Sequence, residues 1–277
     1  MLMNINLNLF IARVIARFNY HLSKSTGIFI PGTGYFLRKI SHKFTFNWNG
    51  FSLIFEPKMA SVYGFLVIGK SNEVDTLNYL NQLSKETEDF TFINVGSCIG
   101  EFIFSDICIK SNFIIAIDAN INAIDSLTDN CKLNNLNHIK FLNKAVSDNS
   151  ESHINFHLNV KNPNESSIIN IAVNDCVVHK VQAITIDSLS NFIKGTNVVM
   201  LIDVEGAELK VLKGAKETIL KYNPIIIFEY NYVSKNIFTL EELMNCLPQN
   251  YALFSLEDNK PVLDYNKIYW NLIAKPI

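Results

Sequence analysis

Phe92-Ile-Asn-Val-Gly-Ser-Cys-Ile-Gly-Glu101 is an apolar run ending in a turn with glycines at Gly96 and Gly100, and about twenty residues later Ile114-Ile-Ala-Ile-Asp118 forms a second apolar run closed by an acid. The pattern predicts two buried parallel strands, the first leading into a turn of small residues that lets a ligand approach the backbone closely. An acid at the tip of the second strand can accept hydrogen bonds from both hydroxyls of a ribose. Alone, either half is weak, since Gly-x-x-x-Gly arises by chance and Asp118 could simply cap a strand. Together, at this spacing, they favour a nucleoside-bearing ligand.

Downstream, strand and helix patterns alternate. Strands are predicted at Thr91 to Val95, Phe113 to Ile117, Ile139 to Asn143, Val198 to Ile202 and Pro224 to Glu229, and helices at Glu101 to Cys108, Asn122 to Asn134, Ala207 to Lys213 and Ala215 to Lys221. The strands are nearly continuously apolar, as a parallel sheet covered on both faces requires. A helix at Leu240 to Cys246 and strands at Tyr251 to Ser255 and Lys267 to Ala274 close the chain. Upstream, Phe44-Thr-Phe-Asn and Phe51-Ser-Leu-Ile-Phe55 flank Asn49-Gly50, the strongest short hairpin signal. Val74, Leu77, Leu80 and Leu83 mark a helix from Glu73 to Ser84. The predicted organisation is an N-terminal extension over residues 1–89 and an α/β domain over residues 90–277.

Among 277 residues the formal net charge is −2, which gives no global electrostatic case for a nucleic-acid partner. The five cysteines, Cys98, Cys108, Cys131, Cys176 and Cys246, form no Cys-x-x-Cys pair and leave one over in any pairing. They read as free thiols of a reducing, cytoplasmic compartment. The apolar stretch from Ile5 to Leu22 is interrupted by Arg13 and Arg17, four residues apart on one helical face, and leaves no uncharged run long enough to span a bilayer. No basic region precedes it as in a signal peptide. Two readings remain: an amphipathic helix packed on the body or on a second subunit, or one resting on the inner face of a membrane beside a lipid-linked substrate.

A dinucleotide fingerprint needs glycines at the first, third and sixth positions, where Gly96, Cys98 and Glu101 stand. A single nucleoside without a pyrophosphate needs fewer, and S-adenosylmethionine fits that description. A nicotinamide cofactor is the distant alternative. The most specific stretch is Leu201-Ile-Asp-Val-Glu-Gly-Ala-Glu-Leu-Lys-Val-Leu-Lys-Gly-Ala215, followed by Asn223-Pro-Ile-Ile-Ile-Phe-Glu229. Here a strand delivers Asp203 and Glu205 to the carboxyl edge of the sheet, and a turn at Gly206 starts a helix.

These residues resemble the FkbM-type S-adenosylmethionine-dependent methyltransferases. The likeness runs through Asn94-Val-Gly96 and Gly100, Ala145-Val-Ser-Asp148, Thr185-Ile-Asp-Ser-Leu189 and Asp203 to Gly214, and covers roughly residues 60 to 275. Asn94 stands where the family usually has an acid, and Asp118-Ala-Asn where it usually has Glu-Pro-Asn. Asp118 is equivalent for a ribose, whereas Asn94 gives up a charge that could hold the methionine ammonium, so reduced cofactor affinity is expected. The resemblance implies a class I, Rossmann-like fold with seven strands, one of them antiparallel. It also implies a cofactor site at Asn94, Gly96, Ser97, Gly100, Asp118, Ala119, Ala145 and Asp203, and methyl transfer to an oxygen of a sugar or other small molecule.

A hydroxyl acceptor must lose its proton, and Asp203 and Glu205 are the candidate catalytic bases. Their structural alternatives are a helix cap and a turn support. Glu229, at the end of the fifth strand, and His153, His157 and His179, in the insertion after the third, are weaker candidates. The resemblance also places Asn164-Glu-Ser-Ser167 near the site. No metal-ligand spacing occurs, so no obligatory metal is expected. The leading expectation is an O-methyltransferase acting on a small-molecule or lipid-linked glycan in bacterial surface-glycan assembly. The alternatives are a methyltransferase of a secondary metabolite and a non-catalytic cofactor-binding scaffold; a homo-oligomer is compatible with each.

Overall fold

The computed structural model describes residues 2–26, 33–40, 42–149, 153–169 and 176–277. Parts of the predicted N-terminal extension (1, 27–32 and 41) and of the insertion after the third core strand (150–152 and 170–175) lie outside the described residues. Two helices, α1 (Leu2–Thr26) and α2 (Thr33–Ile40), precede a hairpin of β1 (Phe44–Trp48) and β2 (Phe51–Phe55). Asn49 and Gly50 both take positive φ, 47° and 85°, as a two-residue hairpin loop matched to the twist of its strands demands. After α3 (Ala60–Tyr63) and α4 (Val74–Glu86) the chain alternates β3 (Phe90–Val95), α5 (Asp106–Lys110), β4 (Phe113–Asp118), α6 (Ile121–Leu133) and β5 (Ile139–Asn143). An insertion follows, of β6 (Ala145–Val146), β7 (Ile154–Asn159), β8 (Cys176–Val181) and β9 (Ala183–Ile184). Then come β10 (Asn197–Ile202), α7 (Glu208–Lys213), α8 (Lys216–Tyr222), β11 (Ile225–Tyr230), α9 (Tyr232–Ile237), α10 (Leu240–Met244), β12 (Tyr251–Ser255) and β13 (Tyr269–Pro276).

Seven strands form one sheet in the order β12-β13-β11-β10-β3-β4-β5, parallel except for β13, which runs antiparallel to both neighbours. All six residues of β3 are buried, four of them apolar, with Thr91 and Asn94 as the polar exceptions. The chain proceeds from β3 outward to β4 and β5, then returns to β10 on the other side of β3. The carboxyl ends of β3 and β10 therefore flank the topological switch point, where open α/β sheets leave a crevice for a ligand.

Side chains alternate between two cores. Phe92, Leu201 and Ile227 face one way and share a cluster with Phe55, Tyr63 and Leu80 of the N-terminal extension. Ile93, Met200 and Phe228 face the other way, against Val211, Ile219 and Leu243 of the following helices. Each large apolar side chain buried this completely contributes about 1.5–3 kcal/mol. The extension is thus one cover of the sheet, packed into the same core.

The predicted helix from Glu101 begins later. Residues 101–105 form turns, because Ser105 is extended (φ −146°) and caps α5 by accepting from the Ile107 N–H at 3.4 Å. The other predicted core elements agree with the structure to within a residue or two at most ends.

Two asparagines one helical turn apart hold the hairpin against the body. On α6, Asn130 Oδ1 accepts from the Ile54 N–H at 2.6 Å, while Asn134 Oδ1 accepts from the Ser52 N–H at 2.9 Å and its Nδ2 donates to the Ser52 carbonyl at 2.7 Å. These amides satisfy the outer edge of β2, which has no further strand beside it among the described residues. Asn130→Ala leaves the Ile54 N–H without its partner, and urea unfolding should show a loss of about 1–3 kcal/mol. An unchanged midpoint and slope would refute the clamp.

Candidate active site

At the end of β3 the backbone turns sharply under tight constraint. The N–H groups of Gly96 and Ser97 both donate to the Ile117 carbonyl of β4, at 2.9 and 3.0 Å, and the Asp203 N–H beyond β10 donates to the Val95 carbonyl at 2.9 Å. Gly96 has φ 80°, and a Cβ there would lie 1.7 Å from the Asp203 carbonyl oxygen. Only glycine lets the turn pass this close to β10.

The turn leads into a cavity of about 1040 Å³ lined by β-strand termini, the insertion, α1 and α2. That is at the top of the usual range for small-molecule sites, roughly 300–1,000 Å³. Of the residues expected from sequence, Gly96, Ser97, Asp118, Ala119, Ala145, Asp203 and Glu205 line it, as does Glu229. The Asp118 carboxylate is held by two backbone donors, Cys98 N–H at 2.8 Å and Asn120 N–H at 2.7 Å. Burial raises its pKa to about 6 in spite of them. Ser97 is 2% exposed and its hydroxyl has no partner in the protein, a buried polar group open to a ligand.

Two expected cofactor residues lie elsewhere. Gly100 does not line the cavity; a Cβ there would meet Leu127 Cδ1 at 2.4 Å, so its smallness seats the turn on α6. Asn94 is fully buried and does not line the cavity, and neither polar atom of its side chain finds a protein partner. An acid at that position would be a buried charge without compensation, which is the physical case for the amide.

The acids of β10 and β11 come together. Carboxylate oxygens of Asp203, Glu205 and Glu229 lie within 4.8 Å of one another, dense enough to accept a divalent cation. Chain spacing does not show this, because Glu229 arrives from the next strand. Burial, reinforced by Glu205, raises the pKa of Asp203 well above the carboxylate range. Glu205 is raised to about 7 by burial, with Asn231 donating to its Oε2 at 3.4 Å as the opposing influence. Glu229 is raised to about 10 by burial and by Asp203, and its Oε2 has no partner. Another acid, Glu101, rises to about 7 on burial while accepting a 2.5 Å hydrogen bond from the Ser71 hydroxyl.

Glu208, assigned no role from sequence, is the turn support. It is fully buried, and its Oε1 accepts from the N–H groups of Val204 and Gly206, both at 3.2 Å, while Oε2 accepts from the Ser234 hydroxyl at 3.0 Å. Ser167 holds the other side, its hydroxyl donating to the Glu205 carbonyl at 2.8 Å. The segment from Asn164 to Ser167 therefore meets the site as the sequence likeness implies, and it lines the cavity. Glu205 itself is left-handed, φ 51°, a conformation costly for a non-glycine residue and held by these contacts. His153, His157 and His179 do not line the cavity. Burial, with Asp118 nearby, raises the Cys98 thiol well above its usual pKa, which disfavours the reactive thiolate.

A sheet of this order, with its cavity at the switch point and an acid at the tip of the second strand, defines the class I methyltransferase fold. The model of the methyltransferase FkbM domain matches residues 94–254, and the chain belongs to that family. No curated protein matches the chain. Among solved structures, it is similar to a methyltransferase FkbM from Methylobacillus flagellatus KT at 15% identity and TM-score 0.44, over 67% of this chain and 43% of that one. It is also similar to SMU.1697c from Streptococcus mutans, solved with SAH, at 11% identity and TM-score 0.41, over 75% and 99% of the two chains. TYW2 from M. jannaschii, solved with AdoMet, aligns at 12% identity and TM-score 0.40, over 85% and 87%.

Asp118, Glu101, Glu205 and Glu229 all have folded pKa values above those of free carboxylates. The folded state therefore binds more protons than the unfolded chain, and the stability this linkage contributes is complete below about pH 4 and lost as pH rises through 6 to 10. Thermal melts of the ligand-free protein should give a lower Tm at pH 9 than at pH 5, and Glu229→Gln should narrow the gap. A Tm that rises toward pH 9 would contradict this account.

Proposed function

We propose that the protein is an S-adenosylmethionine-dependent O-methyltransferase whose acceptor is a sugar hydroxyl in bacterial surface-glycan biosynthesis. The observation that carries the cofactor is the fit of the Gly96 turn to it: a close backbone approach, the unpartnered Ser97 hydroxyl, and Asp118 fixed by two N–H donors on the cavity wall. Asp118 retains acceptor capacity for ribose hydroxyls, and Ala119 and Ala145 leave room for a base. S-adenosylmethionine supplies an activated methyl group, so the protein's tasks are to align the acceptor and remove its proton.

Glu205 suits the second task. A group near pKa 7 is part ionised at neutral pH and can accept a proton, whereas Glu229 at about 10 keeps its own and acts as a donor. Asp203, held above the carboxylate range beside Glu205, shares the cluster's proton load. For the acceptor, Asn162, Asn164 and Ser166 line the insertion side of the cavity, where Asn159, itself buried and bonded to Glu165 and to the N–H groups of Lys161 and Asn162, shapes the loop. Such amide and hydroxyl groups suit a polyhydroxylated ligand better than an apolar metabolite.

Calorimetric titration should detect S-adenosylmethionine and S-adenosylhomocysteine, with Asp118→Ala weakening both by roughly 10–100-fold through lost charge-assisted hydrogen bonds. Glu205→Gln should leave that affinity within a few-fold yet lower turnover on a glycan acceptor by about 10²–10⁴. Absence of binding by either compound would end the methyltransferase reading. Full turnover in Glu205→Gln would end the assignment of the base.

A further inference from the structure

The long N-terminal helix is turned inside out. From Leu7 onward its buried positions are Asn8, Ala12, Ala16 and Asn19, small or polar, while Leu7, Phe10, Val14 and Phe18 are 54%, 64%, 49% and 64% exposed. At 100° per residue those four fall on one stripe. Leu9, Ile15 and Tyr20, at the edges of the buried face, pack on the core, so the helix is anchored without the stripe. Arg13 adds a second anchor by donating through Nε to the Val67 carbonyl at 3.1 Å.

Charge is segregated in the same region. Residues 1–55 contain six Lys and Arg and no Asp or Glu, although the whole chain is net −2. Arg17, His21 and Lys24 are exposed, and by helical spacing they border or enter the apolar stripe. No described helix is long and apolar enough to cross a membrane. A long helix with a lengthwise apolar stripe, a basic margin and no acid has the composition of one that lies in the plane of a bilayer surface. The opposite face carries Ile15, Ala16 and Asn19, which line the cavity together with Leu37 of α2.

We infer that α1 docks the protein on a bilayer containing anionic phospholipid, with Leu7, Phe10, Val14 and Phe18 entering the interface and Arg17 and Lys24 meeting the headgroups. The cavity then lies directly behind the docked helix. Docking stands independently of the catalytic reading; that the acceptor is lipid-linked rests on it. A second copy of the chain is the competing occupant of the stripe, but it would bring two acid-free basic segments face to face, whereas anionic headgroups complement them.

The test is flotation of the full chain with vesicles of phosphatidylcholine alone or mixed 3:1 with phosphatidylglycerol. Binding to the mixed vesicles should be stronger by roughly tenfold or more, at about 1 kcal/mol per basic side chain near the surface, and should weaken in high salt. Phe10→Ser/Phe18→Ser should lower it about tenfold or more, and Arg17→Glu/Lys24→Glu should abolish the preference for the anionic lipid. Because these side chains are exposed, the variants should keep the parent Tm and parent affinity for S-adenosylmethionine, so loss of docking is distinguishable from misfolding and from failure of the cofactor reading. No binding to the mixed vesicles at low salt would overturn the inference. So would binding indifferent to Phe10→Ser/Phe18→Ser, or a concentration-dependent dimer that those substitutions dissolve without any vesicle binding.

Discussion

Everything at the site depends on how closely the end of β3 passes the end of β10. The Asp203 carbonyl fills the space a side chain on Gly96 would occupy, and the N–H groups around it are bound to the neighbouring strands. That contact aims the turn into the cavity and places Cys98 where its N–H can hold Asp118. It also brings the Asp203-Val-Glu205 turn alongside the same opening. One backbone approach therefore sets both Asp118 at the tip of β4 and the acid cluster, and the sheet order makes it unavoidable because β3 and β10 are neighbours on opposite sides of the switch point.

The acid cluster is the opposing constraint. Asp203, Glu205 and Glu229 share a small volume, and none appears in an ion pair among the described residues. Burial of like charges raises their proton affinity and makes the ligand-free site a strained part of the fold. Glu208 and Ser167 hold the turn against that repulsion from two sides. A cationic ligand would favour the ionised carboxylates and release the protons the cluster holds, which is how a destabilising arrangement serves binding.

The core strands and the Asn49-Gly50 hairpin were legible because they are local. Apolar runs of strand length, and a two-residue loop whose angles only certain residues accept, carry their signal within a few positions. Asp203 to Gly214 was legible as a motif for the same reason. The division of labour inside it was not: Glu208 accepts from Val204 and Gly206 close by but is held in place by Ser234, and Glu229 joins the cluster beside Asp203, so both depend on partners more than twenty residues away as well. Asn94 and Gly100 lie within the motif, yet neither lines the cavity: Asn94 is fully buried and Gly100 sits against Leu127.

By itself, then, the sequence determined the class of fold, the family, the order of elements and the residue types gathered at the carboxyl edge, since periodicity, turn chemistry and motif spacing are properties of short stretches of chain. Which of those residues face the cavity, which carboxylates lie close enough to shift one another's protonation, and which side of the first helix is left to the outside were decided only by the tertiary structure. Side-chain direction, burial and mutual distance are set by strands and helices that meet from far apart in the chain, and α1 shows the limit most clearly. Its sequence left open whether the apolar residues pack on protein or rest on a membrane, and packing placed Asn8, Ala12, Ala16 and Asn19 inside and Leu7, Phe10, Val14 and Phe18 outside.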